Sequence, residues 1–183
     1  MANRINLLNP NEASEQAQNL LEQVKGKFGK VPNIFKLMAN SPAVLQAYLN
    51  FNDALAHGKL DSQIKERIGL LLAQKNSCEY CLAAHSLIAK SESLSEQEIM
   101  LARQGKSENP KAQAALSFAG AILEHIGNID DASLNNIRQA GFSDEEILEI
   151  VAAVALNFLT NSLNNVAQTQ VDFPKAKTCS VCS

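Results

Sequence analysis

The sequence has no surplus of positive charge. Sixteen lysines and arginines stand against 19 aspartates and glutamates, for a net charge of −3 and a pI near 5.6. The lysines are scattered and form no stripe, so nothing favours a phosphate backbone and nucleic acid is not an expected partner. Long hydrophobic runs are also missing. The longest, residues 150–156, falls far short of the roughly 20 residues a bilayer span requires, and the opening MANRINLLNPNEASEQ has no apolar stretch of signal-peptide length. The expectation is a soluble, cytoplasmic chain with no membrane partner. No segment alternates apolar and polar residues as a half-buried strand would. Cysteine occurs only as two C-x-x-C pairs, Cys78/Cys81 and Cys179/Cys182. In a reducing compartment such pairs point to metal or redox chemistry and not to a disulfide framework.

What is present is helical periodicity. Hydrophobic residues make up 46% and charged residues 19%, an ordinary globular balance. Ala13, Ala17, Leu20, Leu21, Val24 and Phe28 share one helical face, and Val44, Tyr48, Phe51 and Leu55 share another. Ser41-Pro42 and Asn109-Pro110 read as caps with proline at the first helical position, while Ser95-x-x-Glu98 and Ser143-x-x-Glu146 read as capping boxes. Helices are expected at about residues 11–26, 42–57, 61–76, 79–91, 95–104, 110–126, 130–139 and 143–168. Short connections imply an all-α fold: one compact helical domain over 1–174, followed by a polar, flexible tail over 175–183. A shift of 83 positions aligns Gly58 with Gly141, Asp61 with Asp144, Ile64 with Ile147 and Glu66 with Glu149, which hints at an internal duplication. The same shift sets Asn161 on Cys78, Asn164 on Cys81 and Gln168 on His85, so the second half keeps the helix and loses the thiols.

The stretch SCEYCLAAHS carries the chemistry. A free thiol, with a pKa of about 8.5, is mostly protonated at neutral pH and must be activated before it attacks. Asn76-Ser77-Cys78 reads as the break between two helices, which puts Cys81 in the first turn of the next, where unpaired backbone N–H groups favour a thiolate. His85 follows Cys81 by one turn on the same face, within expected reach directly or through a water. Glu66 lies on a helix apolar nearly all round, so its carboxylate needs a partner, and His85 could supply one. A bland alternative pairs Glu66 with Lys75 or with Arg67 of a neighbouring subunit. His57 and His125 read as helix-end or surface residues, and Tyr48 as core.

Glu66, Cys78, Cys81 and His85 form the pattern Glu-x(11)-Cys-x-x-Cys-x-x-x-His. It resembles the alkyl hydroperoxidase D (AhpD-like) branch of the carboxymuconolactone decarboxylase family, and the likeness extends through VPNIFKLMANSPAVLQAYLNF and FSDEEILEIVAAVALNFLTNSLNNVAQTQVDFP. The resemblance implies an all-α homo-oligomer that reduces hydroperoxides. In it Cys81 would be the peroxidatic thiol, Cys78 its resolving partner in a redox disulfide, and Glu66 with His85 the proton relay. It implies no organic cofactor and no metal, and a thioredoxin-like or lipoyl-bearing protein as reductant. Peroxidase members can carry a histidine between the cysteines, where this chain has Tyr80, a possible secondary site residue together with Cys179 and Cys182.

Other readings stay open on sequence grounds: decarboxylase or isomerase chemistry on a small acid, thiol–disulfide exchange without efficient peroxidase activity, a zinc site built from the two C-x-x-C pairs and His85, or a helical interaction module with inert thiols. Helices 61–76 and 143–168 are apolar on more than one face, which points to interfaces between subunits.

Overall fold

The computed structural model describes residues 4–179. Among them lie nine α-helices and no strand: α1 (Glu15–Phe28), α2 (Asn33–Met38), α3 (Pro42–Ala56), α4 (Ser62–Lys75), α5 (Glu79–Ser91), α6 (Glu96–Arg103), α7 (Pro110–His125), α8 (Asp131–Gln139) and α9 (Asp144–Ala167). The all-α expectation holds, and seven of the eight expected helices fall within a residue or two of their expected bounds. The first differs. Residues 10–12 form a separate 3-10 turn capped by Asn9, and Ser14 caps a helix that runs over Gly26 and stops at Gly29, which has φ +72. Helix α2 was not legible because six residues are too few to display a 3.6-residue period, and no side chain caps it.

Helix α4 is the axis of the molecule, packing against α5, α6, α7 and α9. Its apolarity on every face is therefore satisfied inside the chain. Ile68, Leu71 and Leu72 join α7, α8 and α9 in the larger core cluster. A second cluster gathers α1, α2 and the start of α5, including both cysteines, with Val171, Phe173 and Ala176 packed against it. Helix α9 is long and apolar enough by length and composition to cross a membrane, but Ile147, Ile150, Ala153 and Val154 are part of the larger core.

The segment after α9 is tied down. Tyr80 donates its hydroxyl hydrogen to Asp172 (2.8 Å) and accepts from the backbone N–H of Ile34 (3.1 Å). Asp172 also accepts from the N–H of Asn33 (3.1 Å), and Phe173 stands edge-on to the Tyr80 ring. Further along, Arg103 donates to the carbonyl of Lys177 (2.6 Å), and Lys177 pairs with Glu96 (3.0 Å). The described part of the tail expected from residue 175 meets α6 through Lys177, whose carbonyl offers the buried Arg103 an acceptor. Cys182 lies outside the described residues.

Of the two expected capping boxes, Ser143/Glu146 is complete. Ser95 caps α6, but the Glu98 carboxylate is diverted to Arg67 (2.8 and 2.9 Å), Ser107 (2.6 Å) and the N–H of Glu108 (2.8 Å). Burial would raise the Glu98 pKa; these donors outweigh it and hold the pKa below the ordinary value. The intersubunit partner considered for Arg67 is replaced by this internal one. Removing one side of a buried pair strands the other charge, so Glu98→Ala should cost about 3–5 kcal/mol, read as a lowered denaturant midpoint. The double change Arg67→Met/Glu98→Leu should recover most of that loss.

Candidate active site

Helix α4 ends at Asn76, and Ser77 takes a left-handed conformation, φ +51, that turns the chain sharply. The N–H of Cys78 closes the turn on the carbonyl of Ala73 (2.9 Å). Cys78 is the N-cap of α5, and its Sγ accepts from the N–H of Cys81 (3.2 Å). Cys81 therefore lies in the first turn, as expected from the helix break. The two cysteines are joined in a disulfide, with Cα atoms 5.3 Å apart, and both are buried.

On the next turn His85 Nδ1 meets Glu66 Oε2 at 2.9 Å. The meeting requires a glycine: a Cβ at position 69 would lie 2.5 Å from the His85 ring, so Gly69 lets the imidazole rest against the α4 backbone. Burial by itself would lower the His85 pKa. The charge of Glu66, its hydrogen bond and a further hydrogen bond to the Asn157 side chain outweigh burial and raise it. The expected pairing of Glu66 with His85 is present, and no direct hydrogen bond links His85 to Cys81 among the described residues. The polar group on the sulfur is instead Asn164, whose Nδ2 stands 3.4 Å from Cys81 Sγ.

Glu66 and His85 open into a cavity of about 350 Å³. Tyr48, Asn52, Asn157 and Thr160 give it polar walls; Leu55, Ala153 and Leu156 give it apolar ones. Burial, then the Glu66 charge, pushes the Tyr48 pKa up to about 12, so the phenol remains a proton donor beside the carboxylate. Tyr48 packs against the smaller core cluster, as expected, and also lines this cavity. Asn157 and Thr160 were missed; their only signal is polarity in the largely apolar middle of α9. Along the α5/α9 seam, His85 and Thr160 mark the cavity, and Cys81 and Asn164 lie one turn further on.

Tyr80 is drawn away from this group, since its hydroxyl is spent on Asp172 and Ile34. His57 and His125 are exposed at helix ends, as expected. Cys179 is half-buried in the docked terminal segment. Among the described residues no cluster of three or more His, Cys, Asp or Glu side chains could hold a metal ion.

Comparison with known proteins adds the following. Residues 42–121 match the carboxymuconolactone decarboxylase family. No curated protein matches the chain. Among solved structures, the alkylhydroperoxidase AhpD core of an uncharacterized peroxidase-related protein from Ralstonia eutropha JMP134 superposes with a TM-score of 0.81 at 25% identity, over 94% of this chain and 93% of that one. An uncharacterized peroxidase-related protein from Silicibacter sp. TM1040 gives 0.78 at 23% identity, over 91% and 88%. A variant of the debrominase Bmp8 in complex with 2,3,4-tribromopyrrole gives 0.71 at 22% identity, over 86% of each chain.

The His85–Glu66 pair predicts a pH dependence. With the folded pKa above the ordinary 6.5, the pair's contribution to stability is complete below the unfolded value and is lost as pH rises through the folded one. An NMR titration should place the His85 imidazole above 6.5. In Glu66→Gln, burial is opposed only by neutral hydrogen bonds, and the imidazole should titrate below the wild-type value.

Proposed function

We propose that this chain, whose residues 42–121 match the carboxymuconolactone decarboxylase family and whose fold is AhpD-like, is a thiol-dependent reductase of organic hydroperoxides. The observation that carries this reading is the Cys78–Cys81 disulfide at the start of α5, one turn from a Glu66–His85 pair that opens into a cavity. A disulfide there is the product state of a dithiol oxidation. The mixed polar and apolar walls suit a small hydroperoxide with a hydrocarbon tail.

In the reduced protein the Cys81 thiolate attacks the terminal peroxide oxygen, and the O–O bond breaks. The departing alkoxide takes a proton from the His85–Glu66 pair and leaves as the alcohol, with a sulfenic acid on Cys81. The Cys78 thiol then attacks that sulfur; water departs and the disulfide closes. The sum is hydroperoxide plus dithiol to alcohol, water and disulfide. An external dithiol, of the thioredoxin-like or lipoyl-bearing kind, reopens the disulfide. The reaction runs in the cytoplasm, where such reductants are available.

A second reading is thiol–disulfide exchange without efficient peroxide turnover. The observation favouring it is Tyr80, whose hydroxyl is held by Asp172 and supplies no second relay group between the cysteines. Mass spectrometry of reduced protein after one equivalent of an organic hydroperoxide separates the two. The first reading expects loss of two hydrogens at Cys78/Cys81 and formation of one alcohol; unaltered thiols would leave only the second. In Cys78→Ser, which cannot close the ring, a dimedone-type reagent should capture a sulfenic acid on Cys81. Adding Glu66→Gln should slow that capture roughly a hundredfold or more.

The chain also forms a symmetric homo-oligomer. Helix α9 leaves Leu148, Val151, Phe158 and Val166 exposed along its outer side, with Phe158 at 55% and Leu148 at 68%. A row of that kind on one helix is the surface a second copy would cover. Phe158→Glu should lower the assembly's mass in light scattering toward that of the 19.8 kDa chain; an unchanged mass would exclude α9 from the interface.

A further inference from the structure

Two buried asparagines on α9 have polar atoms unpaired, and one of them, Asn164, stands against a sulfur. Asn161 is 1% exposed and Asn164 3%. Asn161 accepts from Asn76 at the end of α4 (2.8 Å), and Asn164 Nδ2 donates to the carbonyl of Thr160 (3.0 Å) and to Cys81 Sγ (3.4 Å). Asn161 Nδ2 and Asn164 Oδ1 have no partner. A buried polar atom without a partner has lost its water and gained nothing in return, so it calls for an explanation. At Asn164 the disulfide is a poor partner: oxidised sulfur carries no proton to give and accepts only weakly.

Reduction changes the sulfur and not the amide. A Cys81 thiolate turns the Nδ2–H contact into a charge-assisted hydrogen bond. Such help is needed, because burial raises a thiol pKa and so does a nearby carboxylate. The nearest titratable groups along α5 and α4 are His85, one turn beyond Cys81, and its partner Glu66. Tyr80 and Asp172 are turned toward each other, α1 and α2 bring Leu21, Val24, Phe35 and Met38, and α9 brings the two uncharged amides.

We infer that Asn164 is the hydrogen-bond donor that stabilises the Cys81 thiolate, with Asn161 holding α9 in register on the end of α4. The inference rests on Cys81 being the reactive thiol, as proposed above. The second half of the chain, which carries no cysteines in this register, contributes the polar partner of the first half's thiol.

The test needs no peroxide. In full-length protein carrying Cys78→Ser, Cys179→Ser and Cys182→Ser, the Cys81 thiolate is followed by its ultraviolet absorbance against pH and by iodoacetamide alkylation at pH 7. Adding Asn164→Leu, similar in volume but without a donor, should raise the Cys81 pKa by about one unit and slow alkylation about tenfold. Asn164→Asp, of nearly the same shape but an acceptor only, should raise it further; if the leucine variant does not fold, this one decides. Asn164→His, which restores a donor, should recover part of the loss. An unmoved pKa in a folded Leu or Asp variant overturns the inference. The outcome is separable from that of the function: thiols inert to hydroperoxide alongside a shifted pKa would remove the peroxidase reading and keep Asn164, and the reverse result would do the opposite.

Discussion

A carboxylate on a helix that is otherwise apolar must find a partner or become neutral, because low-dielectric surroundings penalise its charge. Glu66 is that group, and the site is arranged around meeting its need. His85 must come within hydrogen-bond distance, so α5 has to lie against α4, and the imidazole must press on the α4 backbone where Gly69 leaves room. Once α5 is fixed at His85 it is fixed at Cys81, one turn earlier, and the sulfur falls against α9. The charge of Glu66 raises the His85 pKa against the effect of burial and adds to the burial that raises that of Tyr48. One carboxylate thus sets the angle between two helices and helps two neighbours keep their protons.

The site also straddles a seam. The larger core cluster contains α4, α7 and α9, and the smaller one holds the sulfurs under α1, α2 and residues 171–176. The cavity reaches His85 between them, and Cys81 lies buried one turn of α5 beyond that histidine. A small molecule and a protein therefore face different problems. The cavity can take a ligand of a few heavy atoms up to the imidazole, but a protein thiol that attacks the disulfide has to displace part of the cover. That cover hangs on Tyr80 and Asp172, outside the Glu66–His85 network, so opening it leaves the proton-holding pair in place.

Much of this was legible from local pattern. Capped amphipathic helices announce themselves by period and by Ser-Pro or Asn-Pro starts, and an acid on an apolar helix with a histidine at the right spacing announces a pair. The missed features are those that depend on distant residues. Helix α2 is held by Tyr80 and Asp172, which lie 46 or more positions away, and not by its own sequence. Glu98 satisfies a capping-box pattern, yet Arg67 outbids the backbone for its carboxylate because a buried guanidinium needs an acceptor more than an exposed helix start does. Tyr48 reads as core because a period reports which face is covered and not whether the cover encloses a cavity.

Cys81 and Asn164, 83 positions apart and in contact, occupy opposite poles of their helices. The first half is broken at Ser77, so Cys81 stands in the first turn of α5, where free N–H groups and the positive end of the helix favour an anion. The second half runs unbroken from Asp144 to Ala167, and Asn164 stands in its last turn, at the negative end. A thiolate at position 164 would be repelled by the carbonyls that close α9, whereas a neutral amide donates to the Thr160 carbonyl one turn back and keeps a hydrogen for the sulfur across the seam. Continuity makes α9 a scaffold and interruption makes α5 a site, so the same register supports opposite chemistry according to which pole of a helix it occupies.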